Sequence, residues 1–173
     1  MNPPLPSATF SPVKPTDFDE VRKMAKKIWP EVYRRIISEE QIEYMIERMY
    51  SPRIIASEVI ESGYFYDWII CNDDRVGFLA YGPVCKGEEC GLHKLYLLPE
   101  VHGAGIGSCA LRYIVEKLRL AEVSLLTLRV NRHNAAAIRC YERNGFQITG
   151  KDRLDIGSGH VMDDYFMSHR LMA

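Results

Sequence analysis

The chain has 173 residues, 47% hydrophobic and 26% charged, the makeup of one compact globular domain with no room for a second of normal size. Its 22 Lys and Arg against 23 Asp and Glu leave a net charge of -1. That offers no broad field for nucleic acid or an anionic membrane, so a small molecule or another protein is the expected partner.

Residues 1–8, rich in proline at their start, read as a flexible tail, and 9–173 as a single domain. A short strand is expected over Thr9–Val13. Thr16 with Asp19 three places on resembles a helix start, and Pro30 limits that helix to about Asp17–Trp29. Ser38 and Gln41 form a capping box ahead of Ile42, Met45, Ile46 and Met49 at helical spacing, which predicts a helix over Glu39–Met49. Ser51-Pro52 repeats the device before Arg53–Glu61 and a stop at Gly63. Phe65–Cys71 and Val76–Tyr81, parted by Asn72-Asp73-Asp74, read as a β-hairpin.

A strand over Leu92–Leu98 then leads into His102-Gly103-Ala104-Gly105-Ile106-Gly107 and a helix whose apolar face is Ala110, Leu111, Ile114, Val115 and Leu118. A strand over Val123–Val130 follows, with Asn134 capping a helix that ends at Gly145. Phe146–Gly150 and His160–Met167 close the sheet. The order is α+β, and the glycine-turn helix crosses between Leu92–Leu98 and Val123–Val130 to make one parallel pair. Within Leu92–Leu98, Leu92 and Leu95 are out of phase for a period of two whereas Leu95 and Leu97 are in phase; a β-bulge near His93-Lys94 repairs this.

Glycines at 103, 105 and 107 let several backbone N–H groups converge at a helix start, where the helix dipole adds partial positive charge suited to a diphosphate, with the Ser108 hydroxyl beside it. A Rossmann turn fails, because Ser108 stands in place of its last glycine and Arg129-Val130 in place of the ribose-binding acid. A Walker loop fails for want of Gly-Lys-Ser/Thr. A plain strand-to-helix connection remains the alternative.

The run Leu95-Tyr96-Leu97-Leu98-Pro99 followed by His102-Gly103-Ala104-Gly105-Ile106-Gly107 resembles the cofactor signature of the GNAT superfamily of acyl-CoA N-acyltransferases, with His102 where the family carries Gln or Arg. Asn134 and, seven residues later, Tyr141-Glu142 with Gly145-Phe146 match its second motif. More loosely, Ser38–Ile42 and Asp155–Tyr165 resemble a bacterial branch that includes polyamine acetyltransferases. The resemblance implies a mixed, mostly antiparallel central sheet with helices on both faces and a parallel pair splayed at the bulge. It also implies acetyl-CoA as co-substrate, bound by Leu95, Tyr96, Leu97, residues 102–108 (His102, Gly103, Ala104, Gly105, Ile106, Gly107, Ser108) and Asn134. Tyr141 is the implied acid for the departing thiolate, and the N–H of Leu95 or Tyr96 the implied donor to the acetyl carbonyl.

Asn134 and Tyr141 lie nearly two helical turns apart, hence on one face. An acceptor amine arrives as ammonium and must lose a proton. The family's Glu before the Asn helix is absent, since that stretch reads Leu128-Arg129-Val130; His93 is the candidate base, with proton loss to a water chain as the alternative. Met45 and Met49 read as core or cleft lining. Cys85 and Cys90 lack partners at zinc spacing, so no metal is expected. Asp152, Asp155, Asp163 and Asp164 read as solvated turn residues, though able to attract a polyamine. Cys140 and Tyr141, adjacent on a helix, point about 100° apart, which disfavours a cysteine intermediate.

The expected activity is direct acetyl transfer to a primary amine of a small molecule, a polyamine or similar. A non-catalytic acyl-CoA sensor and an enzyme acting on protein or peptide amines are the rivals. Five cysteines at 71, 85, 90, 109 and 140 without disulfide spacing, no signal peptide and no apolar run of about 18 residues make a cytoplasmic protein the expectation, alone or as a homodimer.

Overall fold

The computed structural model describes residues 8–171, so the expected tail over 1–8 lies outside the described residues except for Ala8, which packs on the core. β1 (Thr9–Pro12) is followed by a single 3-10 turn and α1 (Phe18–Tyr33), α2 (Glu39–Tyr50) and α3 (Pro52–Ile60). β2 (Phe65–Cys71), β3 (Asp74–Gly82) and β4 (Glu89–Leu97) come next, then α4 (Ile106–Leu120), β5 (Leu125–Asn131), α5 (Ala135–Arg143), β6 (Gln147–Gly157) and β7 (His160–Arg170). The strands form one seven-stranded sheet in the order β1-β2-β3-β4-β5-β7-β6, antiparallel except for the parallel β4–β5 pair.

Helices cover both faces. α4 packs Ala110, Leu111, Ile114 and Leu118 against Leu79, Leu92, Leu126 and Leu128 on one face. α1 and α2 pack Val21, Ala25, Ile28, Trp29, Ile42 and Ile46 against Trp68, Phe78 and Ala80 on the other. Alternation along β3 divides its side chains between the two cores: Leu79 and Tyr81 go to the first, Phe78 and Ala80 to the second.

Local signals and tertiary outcome differ in three places. α1 runs through Pro30 to Tyr33, because Pro30 is exposed and its own carbonyl still accepts from the Arg34 N–H. The proline therefore removes one ladder bond on the solvent side without ending the helix. Its expected cap is not made. Asp17 sits at the helix entry but accepts from Trp68 Nε1 (3.4 Å) and Arg75 (3.0 Å) instead. β6 and β7 are far longer than their sequence signals, so Asp152, Asp155, Asp163 and Asp164 lie on strands and not in turns. Long-range straps hold that hairpin to α2: Gln41 Nε2 donates to Val161 O (2.8 Å), and Tyr44 and Arg48 donate to Ile156 O (2.7 and 2.6 Å).

Ser38 and Ser51 cap α2 and α3 by accepting from Gln41 N and Ile54 N. The β2–β3 turn uses left-handed Asn72 and Asp73, as a two-residue hairpin of primed type demands.

Candidate active site

The bulge falls at His93. Ala80 pairs with Lys94 and Tyr81 with Leu92, so His93 is the extra residue on β4. Leu92 and Leu95 consequently both face the α4 core, while Lys94 turns to the opposite face. β5 follows β4 only as far as the Leu92–Leu128 pair, and from His93 onward the two strands part.

That parting leaves backbone groups free. Leu98 N–H bonds to Val76 O on β3, whereas Leu97 O is held from the other side by His102 Nε2 at 2.9 Å. Antiparallel alternation then directs the N–H and C=O of Leu95 toward the open edge and those of Tyr96 into the β3 ladder. Of the two candidate donors to an acyl carbonyl, the open edge carries Leu95.

At the top of the gap the chain turns through Gly103 (φ 77°) and Gly105 (φ 82°), both left-handed, into α4. Cys109 is the first residue of α4 to donate back, to Gly105 O. Among the described residues the N–H groups of Gly103, Gly105, Ile106, Gly107 and Ser108 have no acceptor. Five orphan donors at a helix start fit a diphosphate, and a Cβ on Gly103 would meet nothing within 4 Å, so the cradle is open. His102 is not poised on this cradle; its ring is spent on Leu97 O. The Ser108 hydroxyl accepts from Asn144 Nδ2 at 2.9 Å, tying α4 to α5.

Asn134 caps α5, accepting from Ala137 N–H at 3.2 Å, which leaves its amide N–H₂ for other use. Tyr141 sits half-buried on the same helix with its ring edge-on to Phe146 (5.7 Å). Its hydroxyl has no partner among the described residues, and burial pushes its pKa well above the usual phenol value, with Tyr33 adding to the effect. Tyr33, at the end of α1, hydrogen-bonds Tyr96 (3.2 Å) and also interacts with Asn134 and Asp164. Phenols from α1, β4 and α5 thus gather around the parted strands.

His93 folds back over Gly91, stacks on Tyr64 (centroids 3.9 Å) and bonds Gly82 O through Nε2 at 2.8 Å. A carbonyl can only accept, so Nε2 carries the proton and Nδ1 is left as the acceptor of the neutral ring. Desolvation lowers its pKa despite an exposed edge, so the ring is neutral at pH 7. Next to it Lys94 is 3% exposed and grips Glu58 with bonds of 2.8 and 2.7 Å, while Tyr66 also donates to Glu58. Burial lowers the Lys94 pKa, opposed by the Glu58 charge.

One cleft of about 1330 Å³ joins these parts. It runs from residues 102–108 past Leu95, Asn134 and Tyr141 and opens on the α1–α2 side against Trp29, Tyr33, Met45, Met49, Met162 and Asp164. Met45 serves both core and cleft. Sequence reasoning missed Arg139 and Arg143, two cleft-lining cations whose i, i+4 spacing on α5 was legible. It also missed Tyr33, which only the tertiary fold brings to the site, and it took Asp164 for a solvated turn residue able to attract a polyamine, where the fold buries it on a strand of the cleft. Among the described residues no group of three or more His, Cys, Asp or Glu is placed to hold a metal.

Comparison with known proteins agrees with this geometry. Residues 18–146 match the model of the acetyltransferase (GNAT) family. An uncharacterized N-acetyltransferase of Mycobacterium tuberculosis is 26% identical over 159 residues, covering 91% of this chain and 99% of the relative. The spermine/spermidine N(1)-acetyltransferase of Bacillus subtilis is 28% identical over 134 residues, covering 73% and 84%. The crystal structure of the PaiA N-acetyltransferase from Thermoplasma acidophilum, in complex with coenzyme A, superposes with a TM-score of 0.78 at 23% identity over 95% of this chain and 99% of that one. The chain belongs to the GNAT family of acetyltransferases and takes acetyl-CoA as its acyl donor.

Proposed function

We propose that this enzyme transfers the acetyl group directly to a primary amine of a small molecule, a polyamine or a similar amine. The observation that carries the reading is the single cleft. Residues of the N–H cradle, the open Leu95 edge and Tyr141 line it together with Trp29, Tyr33, Met45, Met49 and Met162, which supports one cleft for both donor and acceptor. The name of the Bacillus subtilis relative puts spermine and spermidine first among acceptors to try.

When bound, acetyl-CoA supplies a thioester whose carbonyl carbon is open to attack. The N–H groups of residues 103–108 hold the diphosphate, with Arg139 and Arg143 adding positive charge at the rim. Asn134 and the edge groups of Leu95 and Leu97 orient the pantetheine arm. The Leu95 N–H donates to the acetyl oxygen as negative charge develops there. Tyr141, protonated at neutral pH, faces the departing sulfur and donates to it. The amine's N–C bond forms as the C–S bond breaks, and the second proton, shed by the acylated nitrogen, passes through cleft water to the thiolate, which leaves as the free thiol. The ammonium proton leaves beforehand, to Nδ1 of His93 or to cleft water. No covalent enzyme intermediate is required.

Incubation with acetyl-CoA and a panel of polyamines, alkylamines, amino acids and N-terminal peptides, followed by free-thiol release, tests this. Release with a small amine is expected. Tight acetyl-CoA binding without release on any amine would make the protein a sensor, and release on peptides alone would make it a protein acetyltransferase.

A further inference from the structure

The acceptor compartment contains a carboxylate that the chemistry above does not use. Asp164 lies on β7, only 3% exposed, yet lines the cleft. It pairs in register with Asn131, the last residue of β5, whose carbonyl accepts from the Asn134 N–H at 2.9 Å. Asp164 is therefore fixed beside the strand end that launches the catalytic helix. Tyr33 and Tyr141 line the same cleft as Asp164.

This carboxylate is under-partnered. Its one close cation is Arg129, whose Nε lies 3.3 Å from Oδ2. Arg129 is 37% exposed, also reaches Asp152 at 3.4 Å, and lies over the Phe166 ring. Among the described residues Arg129 is the one side chain that donates to Asp164, and no backbone group does. Asp164 lines the cleft. Burial raises the Asp164 pKa, as expected of a carboxylate short of donors.

The rest of the compartment is apolar or already matched. Trp29, Val32, Ile37, Met45, Met49 and Met162 form its wall. The second acid on that side, Glu58, has both oxygens on Lys94 and a further donor in Tyr66. Glu89 stands at the opposite end of β4 from the glycine turn. A buried anion whose one counter-charge, Arg129, is part-exposed and shared with Asp152, set beside a hydrophobic wall, describes one kind of guest.

We propose that Asp164 docks the ammonium group of the acceptor and that the acceptor is a primary alkylamine with one cation and an apolar body lying on the Trp29–Met45–Met49 wall. The inference rests on the acyltransfer reading and deepens it, favouring a hydrophobic monoamine over a polyamine. Asp164 holds the ammonium; it is too weak a base to remove the proton alone, since an alkylammonium of pKa about 10.4 lies several units above any ordinary carboxyl.

The test separates docking from turnover. The CoA-loaded protein is titrated calorimetrically with 4-phenylbutylamine, its neutral analogue 4-phenylbutanol, and spermidine. The monoamine is expected to bind at least as tightly as spermidine. Asp164→Asn is expected to weaken the amine by about 10- to 100-fold, the loss of a charged hydrogen bond, while leaving the alcohol and CoA unchanged. Arg129→Gln removes the competing cation and is expected to tighten the amine about threefold, a variant that does not depend on Asp164→Asn folding. Equal amine binding by wild type and Asp164→Asn, no amine binding by the wild type, or a tenfold preference for spermidine would each overturn the proposal. Acetylation of amines that Asp164→Asn leaves unchanged would sink the docking site alone. Asp164-dependent amine binding with no acetylation would sink the acyltransfer reading alone.

Discussion

Replacing Tyr141 with Phe isolates one hydroxyl. The ring keeps its edge contact with Phe146, and no hydrogen bond among the described residues is broken, so the variant is expected to melt within a degree or two of the parent. A phenol of ordinary pKa about 10 lies about 1.5 units above a thiol near 8.5, so full transfer to the thiolate is uphill by about 2 kcal/mol before burial is considered. Burial raises the Tyr141 pKa further, which widens that gap. The role predicted for the hydroxyl is therefore that of a hydrogen-bond donor to sulfur while the C–S bond is still breaking, not of an acid that ionises first. A charge-assisted hydrogen bond of this kind is worth about 1.5–3 kcal/mol, or about 10- to 150-fold in kcat. Steady-state kinetics should show that loss in kcat, with the KM for acetyl-CoA changed less than threefold. The sign of the shift adds a second reading: a raised pKa keeps the phenol protonated to pH 10, so wild-type kcat should show no alkaline loss below that value from this residue. A Phe variant within threefold of wild type, or a wild-type alkaline limb between pH 8 and 9 that the variant lacks, would refute the reasoning.

Gly107→Ala tests the cradle without straining it. A Cβ there meets Cys140 Sγ at 3.5 Å and a Leu97 methyl at 3.7 Å, ordinary contacts, so stability should hold or rise by up to about 1 kcal/mol while acetyl-CoA affinity falls at least tenfold by calorimetry. For His93, the lowered pKa keeps the ring neutral until the pH drops below about 6.5. If it accepts the amine proton, kcat/KM corrected for the free-amine fraction should fall only below that pH, and His93→Gln should abolish the limb; an unchanged profile assigns the proton to water. Lys94→Met strands Glu58 in a largely buried site and should cost about 2–4 kcal/mol in urea melts, most of it restored in Lys94→Met/Glu58→Leu; additive losses in the pair would contradict the ion-pair account.

The cofactor half of the site was legible because its determinants are local. Gly103 and Gly105 take the left-handed turns and Gly107 leaves the helix start open, and the phase error between Leu92 and Leu95 marks the bulge that the pairing of Lys94 with Ala80 displays. The opposite half of the cleft was legible only through Met45 and Met49, because its walls come from α1, α2, β4 and β7, far apart in the chain. Pro30 looked like a helix end, since a local rule cannot know that the missing bond faces water. Residues 151–157 carry charges and glycine that read as turn; β7 pairing and the α2 straps make them strand, and so convert Asp164 from a solvated acid into a buried one.

A single inserted residue links the two halves. Without His93 as the extra residue of β4, the pleat would send Leu95 to the face now occupied by Lys94 and would keep β4 in register with β5. With it, the Leu95 edge opens to the cleft, and the next side chain, Lys94, is driven into an apolar core where it must find a counter-charge. Glu58 on α3 supplies that charge, and Tyr66 completes its shell. The ion pair is thus the structural consequence of the bulge, and it closes the second acid of the acceptor compartment to incoming cations. The geometry that frees the Leu95 backbone edge therefore also commits Glu58 to Lys94 and leaves Asp164, held by Arg129 alone, as the other acid on that side of the cleft, so both features follow from the same irregularity in one strand.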